Sequence, residues 1–228
     1  MSIRRYITNQ NQMSESLILN LLLAFSGGFQ DAYTYIVRDN VFANAQTGNI
    51  VLMSTYLMEG KFQKGFMYLF PIISFMLGIF VADNVQFKFR YSKTMHWRQG
   101  IVLAEALIMA IVGVLPLSIN MLANCMISFS CAMQVQSFKK IHGNPFASTM
   151  CIGNLKSGVA SFSSFLRTKS KNELSRTIDY MLVITIFALG AGIGGNMSLI
   201  FGQHTIWTSG ILLVLSFLIM ELDRRKDE

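Results

Sequence analysis

Charge is what this sequence has little of. Asp, Glu, Lys and Arg make up 14% of its 228 residues, against about 25% in soluble domains. With 52% hydrophobic residues and a mean hydropathy of +0.45, the polar surface that a soluble chain of this length needs is missing. Cysteine is also scarce. Cys125, Cys131 and Cys151 are odd in number, scattered and set in apolar stretches, which excludes a disulfide framework and any metal-ligand spacing. They read as small packing residues. Histidine is limited to His96, His142 and His204, all in expected loops or helix ends. The zinc-protease pattern H-E-x-x-H is absent, G-x-S-x-G is absent, and no histidine is placed to activate a serine. No M-x-x-M cluster organises the 15 methionines for metal transport. The expectation is a protein that is not an enzyme and holds no cofactor or metal.

A net charge of +7 would suit a nucleic-acid partner. Here the basic residues form short clusters between apolar stretches, which excludes a nucleic-acid face and fits the cytoplasmic loops of a membrane protein. No cleavable signal peptide is expected. A polar stretch separates Arg4 and Arg5 from the first apolar run, and no A-x-A-type site follows that run.

What the chain has is long apolar runs. A helix needs about 20 such residues to cross the hydrocarbon core. Six segments qualify: Leu17–Val37, Phe66–Ala82, Gly100–Leu117, Met121–Phe138, Ile178–Ile200 and Thr205–Leu222. Two more are long enough but polar. Val41–Met58 carries Asn44, Gln46, Thr47, Asn49, Ser54 and Thr55; Phe146–Leu166 carries Asn154, Lys156 and serines 148, 157, 161, 163 and 164.

Positive charge discriminates between eight spans and six. With eight, 11 of the 19 Lys and Arg fall inside and seven outside. If both polar segments enter and leave on one side, 15 fall inside, and only Arg38, Lys61 and Lys64 stay outside. The positive-inside rule favours six spans, with both termini in the cytoplasm.

The polar segments are related in sequence. At an offset of 104, residues 25–43 and 129–147 match at Phe25/Phe129, Ser26/Ser130, Gln30/Gln134, Asn40/Asn144, Phe42/Phe146 and Ala43/Ala147. After one inserted residue, Gly48-Asn49 aligns with Gly153-Asn154. Six identities in 19 positions exceed the roughly one expected by chance and indicate a duplication. Three spans separate the copies, so the halves are expected to be inverted in the membrane, an arrangement that recurs in transporters. The expected fold is an all-α membrane bundle of six spans, built as two inverted three-span repeats with polar re-entrant or broken segments. A cytoplasmic segment (1–16) precedes a single transmembrane domain (17–222; repeats 17–117 and 121–222), and a tail (223–228) completes the chain. The alternative for the polar segments is a pair of helices whose small residues let backbones approach.

Two signatures resemble a known family. Gly28-Phe29-Gln30-Asp31-Ala32-Tyr33, followed by Val41-Phe42-Ala43-Asn44-Ala45-Gln46-Thr47-Gly48-Asn49-Ile50, resembles the first signature of the YoaK-like bacterial inner-membrane proteins, which carry domain of unknown function 1275. There a G-x-x-D motif leads to T-G-N. The second signature, G-x-Q-N followed by T-G-T, has its counterpart in Ala132-Met133-Gln134-Val135 and Cys151-Ile152-Gly153-Asn154. It departs from the pattern at Val135 and at Cys151-Ile152. The resemblance implies a multi-span bacterial membrane protein and lends no biochemical activity.

The candidate site residues lie at the interruptions: Gln30, Asp31, Gln46, Thr47, Gly48, Asn49, Gln134, Gly153, Asn154 and Lys156. A carboxylate within a span is costly unless paired or hydrated. Asp31 therefore reads either as a pathway, proton or cation group, or as a carboxylate near the outer end bonded to Tyr33 or Gln30. Lys156 is its candidate partner. Glu105 lies roughly two turns into its span; it reads either as a second membrane carboxylate or, the expectation here, as a side chain that snorkels towards the basic Lys88–Arg98 loop. Gly190 and Gly194, at G-x-x-x-G spacing, read as a helix-packing face; with no strand before them, a nucleotide-binding reading fails. The expectation is passage or binding of a small polar or ionic solute near the midplane, with a non-transporting scaffold or regulatory protein as the alternative. The lipid bilayer is the expected partner, and a homo-oligomer is open.

Overall fold

The computed structural model describes residues 16–90 and 95–227, the last five of these by their backbone alone. Arg4, Arg5, Lys93 and nearly all of the segment 1–16 lie outside the described residues, as do the side chains of 223–228. The fold is nearly all-α: α1 (Leu17–Val37), α2 (Gln46–Met58), α3 (Phe62–Phe89), α4 (Trp97–Val112), α5 (Asn120–Ser137), α6 (Cys151–Thr168), α7 (Lys171–Phe201) and α8 (Ile206–Asp227). The one departure from the expected all-α fold is a small hairpin, β1 (Lys140–Ile141) against β2 (Asn144–Pro145), antiparallel. His142 and Gly143 at its turn both have positive φ, as a two-residue hairpin turn requires. Phe62–Phe89 and the stretch Lys171–Leu222 are long and apolar enough to cross a membrane.

Local chemistry sets the helix limits. The Ser16 hydroxyl caps α1 by accepting from the Leu19 amide at 3.3 Å. α4 stops at Val112, short of the expected Leu117, because Gly113 and then Pro116 come next in the chain. Polar Val41–Met58 divides into an irregular stretch and α2. With 13 residues, α2 is roughly 20 Å long, too short for a core about 30 Å thick.

Backbone-to-backbone packing joins the helices in pairs. α1 and α7 run parallel, with Gly190 against the Phe25 carbonyl, Gly28 against Phe187 and Gly194 against Phe29. α3 and α5 also run parallel, with Gly78 against the Phe129 carbonyl and Ala132. Phe25 and Phe129 are the first matched pair of the sequence duplication, so one contact occurs twice. α1 and α5 run antiparallel: Arg38 meets Asn120, Gln30 meets Cys131, and Gln134 meets Leu23.

The bundle has two polar ends. At one, Arg38 is fully buried and fills α4's carbonyl end. Its Nη2 donates to Val112 and Leu115, each at 3.0 Å, its Nη1 to Pro116 and to Asn120 Oδ1, and its Nε to the Tyr33 hydroxyl at 2.9 Å. The negative end of the α4 dipole thus meets a cation. At the other end, Arg98 Nε donates to the Ser137 carbonyl at 2.9 Å and Gln99 to Glu221 at 3.2 Å.

Gly78→Ala and Gly190→Ala place a Cβ on a carbonyl oxygen, and thermal unfolding of the purified protein should show each destabilised by about 1–3 kcal/mol. Gly192→Ala, where a Cβ meets nothing within 4 Å, should unfold as the parent does. Arg38→Lys keeps the charge but loses the five-donor fork. It should lower the unfolding midpoint, and Arg38→Met should lower it further.

Candidate functional site

Two interruptions, residues 38–45 and 138–150, turn the chain back into the bundle. Asp39 and Asn40 are left-handed (φ 62° and 59°), a conformation that Asp and Asn tolerate better than most residues. The chain then descends beside α1 until the Asn44 amide meets Asp31. α2 returns to where it began, since Tyr56, near its end, and Asp39 and Asn40 line one cavity. The second interruption starts from the opposite end, carries the hairpin, and brings Ser148 level with Gln134.

The same clasp holds each interruption. The Asn49 side chain accepts from the Phe42 amide at 3.0 Å and donates to the Phe42 carbonyl at 2.7 Å. Asn154 accepts from the Ala147 amide at 3.4 Å and donates to its carbonyl at 2.7 Å. Both clasps span seven residues, so the structure pairs Phe42 with Ala147. The inserted residue therefore precedes that point, rather than coming after Ala43/Ala147 as the sequence alignment has it.

Asp31 is buried, and its Oδ1 accepts from the Asn44 amide at 2.7 Å, with the Ala43 and Ala45 amides also directed at the carboxylate. Its partners are thus the peptide groups leading into α2, not Tyr33, Gln30 or Lys156. A carboxylate suits that place because a helix N-terminus presents unpaired N–H groups and positive potential. The Asp31–Lys156 pairing is corrected: Lys156 is exposed on α6, and no ion pair among the described residues joins them. Glu105 is also corrected. It is fully buried, and its two oxygens have no hydrogen-bond partner among the described residues. It lies eight residues into α4, roughly 12 Å along the axis, too deep for a glutamate to reach the helix end.

Where α1 crosses α5, polar groups converge. Gln30 Nε2 donates to Ser209 at 2.8 Å and to Ser26 at 3.0 Å, the two hydroxyls are 2.7 Å apart, and the Cys131 thiol donates to Gln30 Oε1 at 2.8 Å. Gln134 donates to Ser148 at 2.8 Å. Both Asp31 and Glu105 lie within electrostatic range of Cys131. The interruptions meet at Gly27, whose carbonyl accepts from the Asn44 side chain at 3.2 Å. The Thr149 methyl occupies the place a Gly27 side chain would take.

The crossing therefore gathers Gln30, Asp31 and Gln134. Gln46 belongs to the first clasp, accepting from Asn49 at 2.9 Å beside half-buried Gly48. Thr47, Gly153 and Lys156 lie on exposed faces. Asn44, Cys131, Ser26 and Ser209 join the site although sequence reasoning did not single them out for it. Asn44 carried a signal as a polar residue inside the first signature, and Ser26 as a matched position of the duplication; Ser209 comes from a distant helix that only folding brings in.

Asp31→Ala strips the acceptor from buried amides and should cost about 1–3 kcal/mol or more in thermal unfolding. Asp31→Asn keeps one acceptor oxygen and should cost less. Asn49→Ala and Asn154→Ala should each destabilise by a similar amount, one per clasp.

The chain matches the family described as "Protein of unknown function (DUF1275)" over residues 19–219. It is 26% identical over 201 residues to the UPF0700 transmembrane protein YoaK of Bacillus subtilis (strain 168), an alignment covering 84% of this chain and 88% of that protein. No solved structure matches it significantly. The similarity to a transmembrane protein joins the apolar helices and the scarcity of charge in marking an integral membrane protein, and the chain belongs to the DUF1275 family.

Proposed function

We propose that this protein is a transporter or channel for a small polar or ionic solute, built as two inverted halves with six spans. α1, α3 and α4 would span in the first half, and α5, α7 and α8 in the second. α2 and α6 would be the helical arms of re-entrant segments, one from each side of the membrane. The observation that carries the reading is the meeting of the two interruptions at Gly27, after entry from opposite ends of the bundle. Irregular backbone at membrane depth persists only when buried in protein or lining a hydrated cavity, and paired interruptions at a crossing are the usual place for a transported solute.

Charge supports the orientation. The end with Arg38 also carries Lys61 and Lys64, and it is the outer end in this reading. Lys88, Arg90, Lys139, Lys140 and the basic residues from Arg167 to Arg176 belong to the opposite, cytoplasmic end. The membrane would be the bacterial inner membrane. A non-transporting scaffold is the second reading, favoured by the way Ser26, Gln30, Cys131 and Ser209 satisfy one another.

Topology is tested with single cysteines at Lys61 and Lys88 in a cysteine-free background, probed in intact cells with a membrane-impermeant maleimide. Labelling at 61 and not at 88 is expected; the reverse would overturn the re-entrant first segment and the inversion with it. A cysteine at Thr47 should react with a water-soluble reagent if the interruption lines a hydrated path. Uptake by reconstituted vesicles should be abolished in Asp31→Asn, the variant that keeps the fold. A Thr47 cysteine inert to that reagent, together with vesicles impermeable to polar solutes, would favour the scaffold.

A further inference from the structure

The two interruptions are built on the same clasp, and beside the first lies a polar cavity. On the Arg38 end a cavity of about 210 Å³ is lined by Asp39, Asn40, Tyr56, Lys64, Met67 and Tyr68. That is room for roughly seven waters, the scale of a small solute.

The opposite end shows how matching positions can be engaged. Gly78 and Gly190 make the same contact, so residues of α3 correspond to those of α7 112 positions later. Tyr68 corresponds to Tyr180, Met67 to Asp179 and Lys64 to Arg176. Each interruption also carries a left-handed pair, Asp39 and Asn40 in the first and His142 and Gly143 in the second. In the second copy these residues have partners: His142 Nδ1 lies 2.8 Å from Asp179, the Tyr180 hydroxyl donates to the Pro145 carbonyl at 2.7 Å, and Arg176 pairs with Glu173 at 3.1 Å. In the first copy Met67 stands where Asp179 would be. Among the described residues neither Asp39 nor Lys64 has an ion partner, and the Tyr68 hydroxyl, though its residue is buried, has no hydrogen-bond partner.

The chemistry of the lining selects the occupant. Lys64 offers one ammonium, held 5.5 Å from the Tyr56 ring centre. Asp39, exposed at the rim, offers one carboxylate. Lys61 is already engaged: Glu59 lies 2.7 Å away and pushes its ammonium above the ordinary lysine value. One free charge of each sign, a tyrosine hydroxyl and stacked Tyr56 and Tyr68 rings 5.9 Å apart fit a ligand that carries both signs. We propose that this cavity binds a small amino-acid-like zwitterion, its carboxylate on Lys64 and its ammonium on Asp39 beside the aromatic faces. As the outer vestibule of the transport path, the cavity rests on the function proposed above; as a binding site it stands on its own geometry.

The test is isothermal titration of the full-length protein in lipid nanodiscs with glycine, L-alanine and L-serine, and with propionate and ethylamine as single-charge probes. At least one amino acid should bind, and the single-charge probes should bind about tenfold more weakly or worse. Asp39→Asn and Lys64→Met should each weaken amino-acid binding by about tenfold or more, with unfolding midpoints unchanged. Lys88→Met, at the other end, should bind as the parent does. No binding of any of the three amino acids, or equal binding by Asp39→Asn and Lys64→Met, would overturn the proposal. Vesicle uptake separates the two readings. Uptake that ignores both substitutions removes the cavity from the transport path and leaves transport standing; binding lost in both variants, with no uptake by the parent, supports the cavity and removes transport.

Discussion

Every peptide group freed where a helix breaks inside this bundle needs a partner within the protein, because apolar surroundings offer no water in exchange. Much of the polar sequence is spent on that demand. Asn49 and Asn154 clasp the backbone across each interruption, Asp31 receives the amides leading into α2, and Arg38 collects the carbonyls at the end of α4. Side-chain groups matched to backbone groups in this way are expensive to lose singly. These residues hold the interruptions in place before they do anything else.

Close backbone approach is the second constraint, and it depends on the first. α1 lies against α7 and α3 against α5 because glycines let carbonyls sit where side chains would be. Such contact in an apolar medium rests on packing rather than on water release. It fixes the depth of α1 relative to its neighbours, and so the depth at which Asp31, Gln30 and Gln134 meet the returning chain. Loosening either glycine contact would shift the crossing without touching any of its polar residues.

The two copies have diverged in how they use this scaffold. At the interruption with the hairpin His142 meets Asp179 and Tyr180 meets Pro145, while a cavity with both signs of charge lies beside its counterpart. Asp31 has no counterpart either, since Val135 stands at the matching position. In the proposed function, binding is concentrated in the first half, and the second supplies the frame against which it is held.

Composition and local pattern, both legible in the sequence by itself, determined the class of protein and the places where its helices break. The scarcity of charge made this a membrane protein, and the first apolar run has the limits of α1, Leu17–Val37. Gly48-Asn49 and Gly153-Asn154 marked both interruptions because the clasp asparagine must sit at a fixed distance along the chain from the backbone it holds. Only the tertiary structure decided who meets whom. The partner of Asp31 is a peptide amide 13 residues away, set by how far the chain descends beside α1. The burial of Glu105 depends on which face of α4 turns inward. Arg38, a loop charge in the sequence, becomes a buried cap because the end of α4 comes to it. Ser209 reaches Gln30 across 179 residues. Such contacts arise from packing between elements distant in the chain, and neither hydrophobic periodicity nor motif spacing carries that information.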